Sequence, residues 1–218
     1  MDDVTTEKAS QPDQKRMGAG PRRAHLMDAA ARQIVEQGFL PLPIEGLARA
    51  AQVSKALIYV HFPTQYDLAN AILTRELDAL FAAGLDDASR GDTLQDVALD
   101  CATLYFEHVR RWGPLLHIVL SDLYMARRHD RTAISRRDAV MRRLARLARR
   151  HIRLPANEII AGLNIIMAIP EEAGALAFHG EVDPAVARDM CRTLTLSALK
   201  GLASCAPNAK PERARPPR

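Results

Sequence analysis

Apolar residues recur at helical spacing along most of the chain, and the pattern breaks at glycines, prolines and polar clusters. From about Arg22 to Gln37, an inner stripe of Met27, Ala30, Ala31 and Ile34 predicts a helix, which Gly38 ends in its usual C-terminal position. Phe39 and Leu42 are expected to turn back into the core. Pro43 opens a short second helix where its missing N–H costs least, with Leu47 and Ala48 inward and an end near Ala51. Val53 anchors a tight turn, and Ser54 is a natural N-cap for a third helix. Ile58 and Phe62, four apart, bury one face of it and leave Lys55, Leu57, Tyr59 and His61 outward. Thr64 can cap a fourth helix carrying Leu68, Ile72, Leu73, Leu77, Leu80 and Phe81 before Gly84.

The remainder reads as five further helices at roughly 93–111, 114–128, 132–152, 155–179 and 184–204, with Asp183-Pro184 as a start signal for the last. The fold class is therefore all-α. A polar arm (1–20) precedes a head of three helices (21–67), a longer helical body (68–205) and a basic tail (206–218). Residues 155–169 are apolar on nearly every face. One side can pack within the chain, and the other needs a partner. The helix at 184–204 adds Ala187, Met190, Cys191, Leu194, Ala198 and Gly201, a stripe whose small residues let helices approach closely. Together these two helices predict a four-helix interface between two copies. Pro170 should kink the helix that contains it.

Charge changes this picture in one place. Residues 126–153 hold eleven arginines against two aspartates, while residues 25–81 hold four basic and six acidic residues. The sequence pI of about 9.2 is thus set largely by one helix and the tail. Arg136, Arg143, Arg146, Arg150 and Arg153 lie along one side of that helix, opposite Val140, Met141, Leu144, Leu147 and Ala148, as on a solvated helix face. The three cysteines make no metal-like pair and fit small buried hydrophobes in a reducing cytoplasm. Residues 1–20 lack the apolar core of a signal peptide, and the apolar run near Ile159–Ile169 is too short to span a bilayer, so no membrane association is expected. No HExxH, P-loop, GxGxxG, GxSxG or CxxC occurs, and the seven histidines offer no credible metal spacing. Neither an enzyme, a cofactor nor a metal site is expected.

A helix, a tight turn and a short helix ending in exposed Tyr and His form a shape that fits the DNA major groove. The pattern resembles the TetR family of bacterial transcriptional regulators. The resemblance rests on Ala29-Ala30, Gly38-Phe39, Leu47-Ala48, Val53-Ser54, the run Tyr59-Val60-His61-Phe62, and Asp67-Leu68. It implies a helix-turn-helix at about 43–62, a recognition helix starting at Ser54, and a ligand-binding and dimerisation body. By that resemblance Lys55 reaches base edges or phosphate and Leu57 a thymine methyl, while Tyr59 and His61 bond phosphates. Arg22 and Arg23 reach in from the arm. Pro43, Ser54, Ala56 and Gln65 complete the candidate DNA-facing set.

Several positions depart from the family pattern. Leu42 and Pro43 stand where hydroxyl residues are usual, Gln52 where glycine is common, Ala56-Leu57 for Gly-Thr, and Gln65 for a frequent Lys. Candidates for a ligand pocket in the body are Tyr105, His108, Trp112, His117, Tyr124, Asn164, Met167 and Glu171. Their mix of aromatic and polar groups suits a mostly apolar small molecule, cationic if a Glu faces inward, although Trp112 is better explained as a core anchor. The expected function is a homodimeric repressor of a palindromic double-stranded operator, released by a small-molecule effector. The rival is a module that keeps the fold but has weakened or lost specific DNA binding.

Overall fold

The computed structural model describes residues 18–205. Nearly all of the arm and the whole basic tail lie outside the described residues, including Lys15 and Arg16. Within them the chain is helical with no strand: α1 (Ala19–Gln37), α2 (Ile44–Ala50), α3 (Lys55–His61), α4 (Gln65–Ala82), α5 (Leu85–Ala88), α6 (Leu94–Trp112), α7 (Leu115–Ser121), α8 (Arg131–Ala148), α9 (Ala156–Ile166), α10 (Ala168–Phe178) and α11 (Pro184–Ser204). A 3-10 turn at Leu123–Met125 follows α7.

Local chemistry sets most of these boundaries. Gly38 closes α1 at φ 76°, a left-handed conformation that glycine adopts without steric cost. Thr64 and Asp67 exchange bonds in a capping box that starts α4, and Asp183 accepts from two backbone N–H groups at the start of α11. Pro170 sits in the first turn of α10, where no intrahelical donor is needed. The helix expected to kink is instead two helices meeting at Met167.

Leu26, Ala29, Ala30 and Ile34 of α1 pack on Leu47, Ile58 and Phe62, and this core continues through Leu68, Ile72 and Leu73 of α4 to Leu115 and Val119 of α7. The helix α4 therefore belongs to both head and body, and residue 67 falls within it. A second core joins α6, α8, α9 and the end of α11, and a smaller one lies among α6, α10 and α11. Gly174 of α10 seats that helix against α6, because a Cβ there would stand 2.7 Å from Val109 Cβ and 3.0 Å from the Phe106 carbonyl.

Several expectations are corrected. Phe39 is exposed, and Leu40 turns inward in its place beside Leu42, which is buried as expected. Met27 is only part-buried, and Leu26 and Ala29 take its place in the stripe. The helix expected at 114–128 stops at Ser121, because Asp122 leaves helical geometry and accepts from the Tyr124 N–H. The helix expected at 132–152 ends at Ala148. Cys101 and Cys191 are buried, but Cys205 is exposed. The arginine side of α8 is pinned in part rather than wholly solvated: Arg136 lies over the Phe81 ring and pairs with Asp78, and Arg143 pairs with Asp86 and donates to Ser89. The apolar run is also longer than expected. Ala156–Phe178 would be long and apolar enough to cross a membrane by composition, but it is broken between α9 and α10.

Candidate nucleic-acid interface

The turn between α2 and α3 is built by two backbone hydrogen bonds. Gln52 N donates to the Arg49 carbonyl and Val53 N to the Ala48 carbonyl, an arrangement that satisfies the carbonyls at the end of α2. Gln52 takes a left-handed φ of 54° at the position where the family commonly has glycine. The substitution thus keeps the turn at some conformational cost. Ser54 then caps α3 by accepting from Leu57 N at 3.2 Å.

Anchored by Ile58 and Phe62, α3 turns its other face to solvent. Lys55, Ala56 and Tyr59 are exposed, while Leu57 and His61 are half-buried. Val60, not singled out as a contact, is 74% exposed beside Tyr59 at 48%. Lys55 is paired with Glu45 of α2, and its hydrogen bond, with the nearby Arg49 charge contributing least, holds the Glu45 carboxyl below its ordinary range. Arg23 is also engaged: it donates to the His61 carbonyl at 2.8 Å and lies over the Phe62 ring, tying α1 to the end of α3. Arg22 lies one residue earlier on α1. Pro43 is the exposed N-cap of α2, and its carbonyl accepts from Leu47 N. The Gln65 amide is used inward, accepting from Leu42 N and donating to the Leu42 carbonyl, so it clamps the α1–α2 connection to α4.

Residues 26–72, which run from within α1 through the turn and α3 into the first half of α4, match the family described as bacterial regulatory proteins, tetR family. The head is thus similar to the TetR family over this segment. It is 33% identical over 78 residues to the HTH-type transcriptional activator FasR of Mycolicibacterium smegmatis, a match covering 36% of this chain and 35% of that protein. The chain thus spans about a third of the length of that curated relative. Two solved structures share the fold over most of the chain. A TetR-like transcriptional regulator from Rhodococcus superposes at TM-score 0.61 with 20% identity, covering 85% of this chain and all of that one. The fatty acid degradation regulator FadR from Bacillus halodurans gives 0.62 with 15% identity, over 85% and 98%.

Behind the TetR-type head lies a cavity of about 980 Å³, walled by α4, α6, α7, α8 and the α9–α10 junction. Tyr105, His117, Asn164, Met167 and Glu171 line it as expected. Glu171 is its central polar group, 2.9 Å from His117 Nδ1 and 3.5 Å from the Tyr105 hydroxyl. Burial raises the Glu171 carboxyl to about 7. The Tyr105 hydrogen bond works the other way, and the Glu172 charge adds to the rise. Burial also pushes the Cys101 thiol in this wall up to about 12, which leaves it unreactive at neutral pH.

Three expected ligand contacts lie elsewhere. His108 is buried against Glu76, Tyr124 stacks on Tyr66 of α4 with centroids 4.4 Å apart, and Trp112 is 48% exposed under Arg111. Neither pocket wall nor core anchor describes Trp112. The polar residues missed at the cavity are Arg127, Arg131, Arg137, Arg142 and Asp138, with His129, Ser121 and Ser135.

Two connections join body and head. The segment 122–130 lines the cavity through Arg127 and His129. It also grips the head: Asp122 accepts from Leu40 N at 2.9 Å, Arg128 lies over the Tyr66 ring, and Asn70 bonds both the Arg128 carbonyl and Asp130 N. The second is a chain of charges. Arg75 of α4 bonds Asp28 of α1 at 2.6 Å and Glu76 at 3.0 Å, and His108 of α6 stands 3.2 Å from Glu76. Burial pushes the Glu76 carboxyl up, but His108 and Arg75 outweigh it and the net shift is downward.

Proposed function

We propose that the chain is a ligand-responsive regulator that binds a palindromic operator as a homodimer and is released when a small molecule fills the cavity. The observation that carries this reading is the segment 122–130, which is a cavity wall and a clamp on the head at once. An effector that favours one position of this segment shifts the head only by the difference in its affinity for the two positions. Lys55, Ala56, Tyr59 and Val60 of α3 face the groove, with Lys55 exchanging its bond to Glu45 for phosphate or a guanine edge. Ser54 caps that helix, and Leu57 and His61 sit at its margins. Arg22 lies at the arm side, and Arg23 holds α3 in place. Pro43 and Gln65 act by shaping the α1–α2 connection rather than by touching DNA.

Dimerisation is supported by an uncovered apolar face: Phe178 of α10 and Val186, Met190 and Leu194 of α11 are all exposed. Their neighbours Ala187 and Cys191 are buried within the chain, so α11 has one side for its own core and one for a partner. A soluble cytoplasmic regulator with no catalytic role accounts for the apolar α9–α10 pair better than a membrane span does. The curated relative is an activator, and release from DNA by the effector is this reading's sign for the present chain. Selection from a random duplex pool tests it. The expected product is an inverted repeat whose half-sites are about 34–36 Å apart, or a multiple of that spacing. Recovery of no preferred sequence at moderate salt would instead support the ligand-binding module that has lost its operator.

A further inference from the structure

The cavity wall changes character along its length. Leucines and methionines of α4, α7 and α8 supply the apolar part, and arginines gather where the 122–130 segment and α8 meet solvent. Arg127, Arg131, Arg137 and Arg142 all line the cavity, against two carboxylates, Asp138 and Glu171. Asp138 lies 3.5 Å from Arg137, and Glu171 is already held by His117 and Tyr105. Among the described residues no carboxylate pairs with Arg127, Arg131 or Arg142, whereas Arg75, Arg90, Arg110, Arg143 and Arg188 are all paired.

Two further observations point the arginines at a ligand. Arg137 lines the same cavity as Tyr105, whose hydroxyl meets Glu171. Arg127 holds a left-handed backbone, φ 63°, which L side chains rarely adopt and which here sets a guanidinium at the cavity edge. A cation entering this cavity would face four arginines against two carboxylates, and a neutral head would gain nothing from that excess of positive charge. An acidic head answers it, and arginine's fork of donors fits carboxylate and phosphate oxygens in pairs.

We propose that the effector cavity takes an amphipathic organic anion, with its apolar body among the leucines and methionines and its carboxylate or phosphate head at Arg127, Arg131, Arg137 and Arg142. This rests on the effector-site reading above and names its ligand class. It also reverses the sequence-based expectation of a cation drawn by an inward Glu. The anion's head touches Arg127, on the same segment that clamps the head domain, so its charge is felt where the two domains join.

The test is calorimetric titration of the full chain, without DNA, with four ligands sharing one tail: dodecanoate, dodecyl phosphate, dodecanol and dodecylammonium, each below its micelle concentration. The expected result is that at least one of the two anions binds about tenfold or more tightly than the alcohol or the ammonium. The stronger of the two anions identifies a carboxylate or a phosphate head. In the triple variant Arg127→Gln, Arg131→Gln, Arg142→Gln, which removes exposed side chains only, the preference should fall to about threefold or less with unchanged helicity. Equal binding of dodecanol, tighter binding of dodecylammonium, or a preference that survives the triple variant would overturn the anion assignment while leaving an effector site. Absence of binding by all four would overturn the site along with it.

Discussion

Replacing Glu76 by Gln removes one charge from the chain Asp28–Arg75–Glu76–His108 and almost no volume. Glu76 and His108 are both nearly inaccessible, while Arg75 is about a third exposed and keeps Asp28 at 2.6 Å. Arg75 is therefore partly compensated after the change. His108, which stands near Glu76 Oε2 without the alignment of a good hydrogen bond, loses its only acidic neighbour in the network. Loss of one partner from a buried pair costs about 3–5 kcal/mol, and the partial exposure of Arg75 brings the expectation down to about 2–3 kcal/mol. For a chain of this length that is a fall in Tm of roughly 5–10 °C. The pH dependence supplies the stricter test. The folded carboxyl titrates below its ordinary value of 4.5. Its stabilisation is thus fully present above that value and is lost as pH falls through the lower folded value. The difference between wild type and Glu76→Gln, followed by circular dichroism during urea or thermal unfolding, should be largest near pH about 7 and shrink below about 4. A difference that is absent, or constant across that range, would refute the assigned role.

Three further outcomes follow from particular contacts. Glu45→Gln releases Lys55 and removes an acid from the groove-facing surface, so operator affinity measured by anisotropy at low salt should rise by about three- to tenfold. Unchanged affinity would mean that Lys55 does not work at the DNA. Met190→Glu with Leu194→Glu places two charges in the uncovered α11 face, and sedimentation should show a monomer with native helicity. Gly174→Ala forces α10 off the Val109 side chain and the Phe106 carbonyl, and should lower unfolding free energy by about 1–3 kcal/mol.

The head was legible because its boundaries are set by residues acting on their immediate neighbours. Gly38, Ser54 and Thr64 act over three or four positions, and each stands where the structure uses it. The outward placing of Lys55 and Tyr59 followed from Ile58 and Phe62, whereas Leu57 and His61 are half-buried and the exposed Val60 was missed. The body was less legible because its decisive facts are tertiary. Which arginines of α8 meet Asp78 and Asp86 and which meet the cavity depends on where α4, α5 and α7 lie. The end of α7 is fixed by Asp122, whose carboxylate is shared between its own turn and Leu40, 82 residues away. His108 and Tyr124 have the chemistry of pocket residues, but Glu76 and Tyr66 claim them for the contacts between head and body. Gln65 was read from its place in the motif, whereas the structure spends its amide on Leu42.

The central claim is that the exposed face of α3, borne twice on a symmetric dimer, reads duplex DNA. A gel-shift comparison on the selected inverted repeat, between wild type and Lys55→Ala with Tyr59→Ala, addresses it most directly. The account predicts that the double variant remains a folded dimer and loses the specific shift. A shift of unchanged affinity and specificity would contradict it.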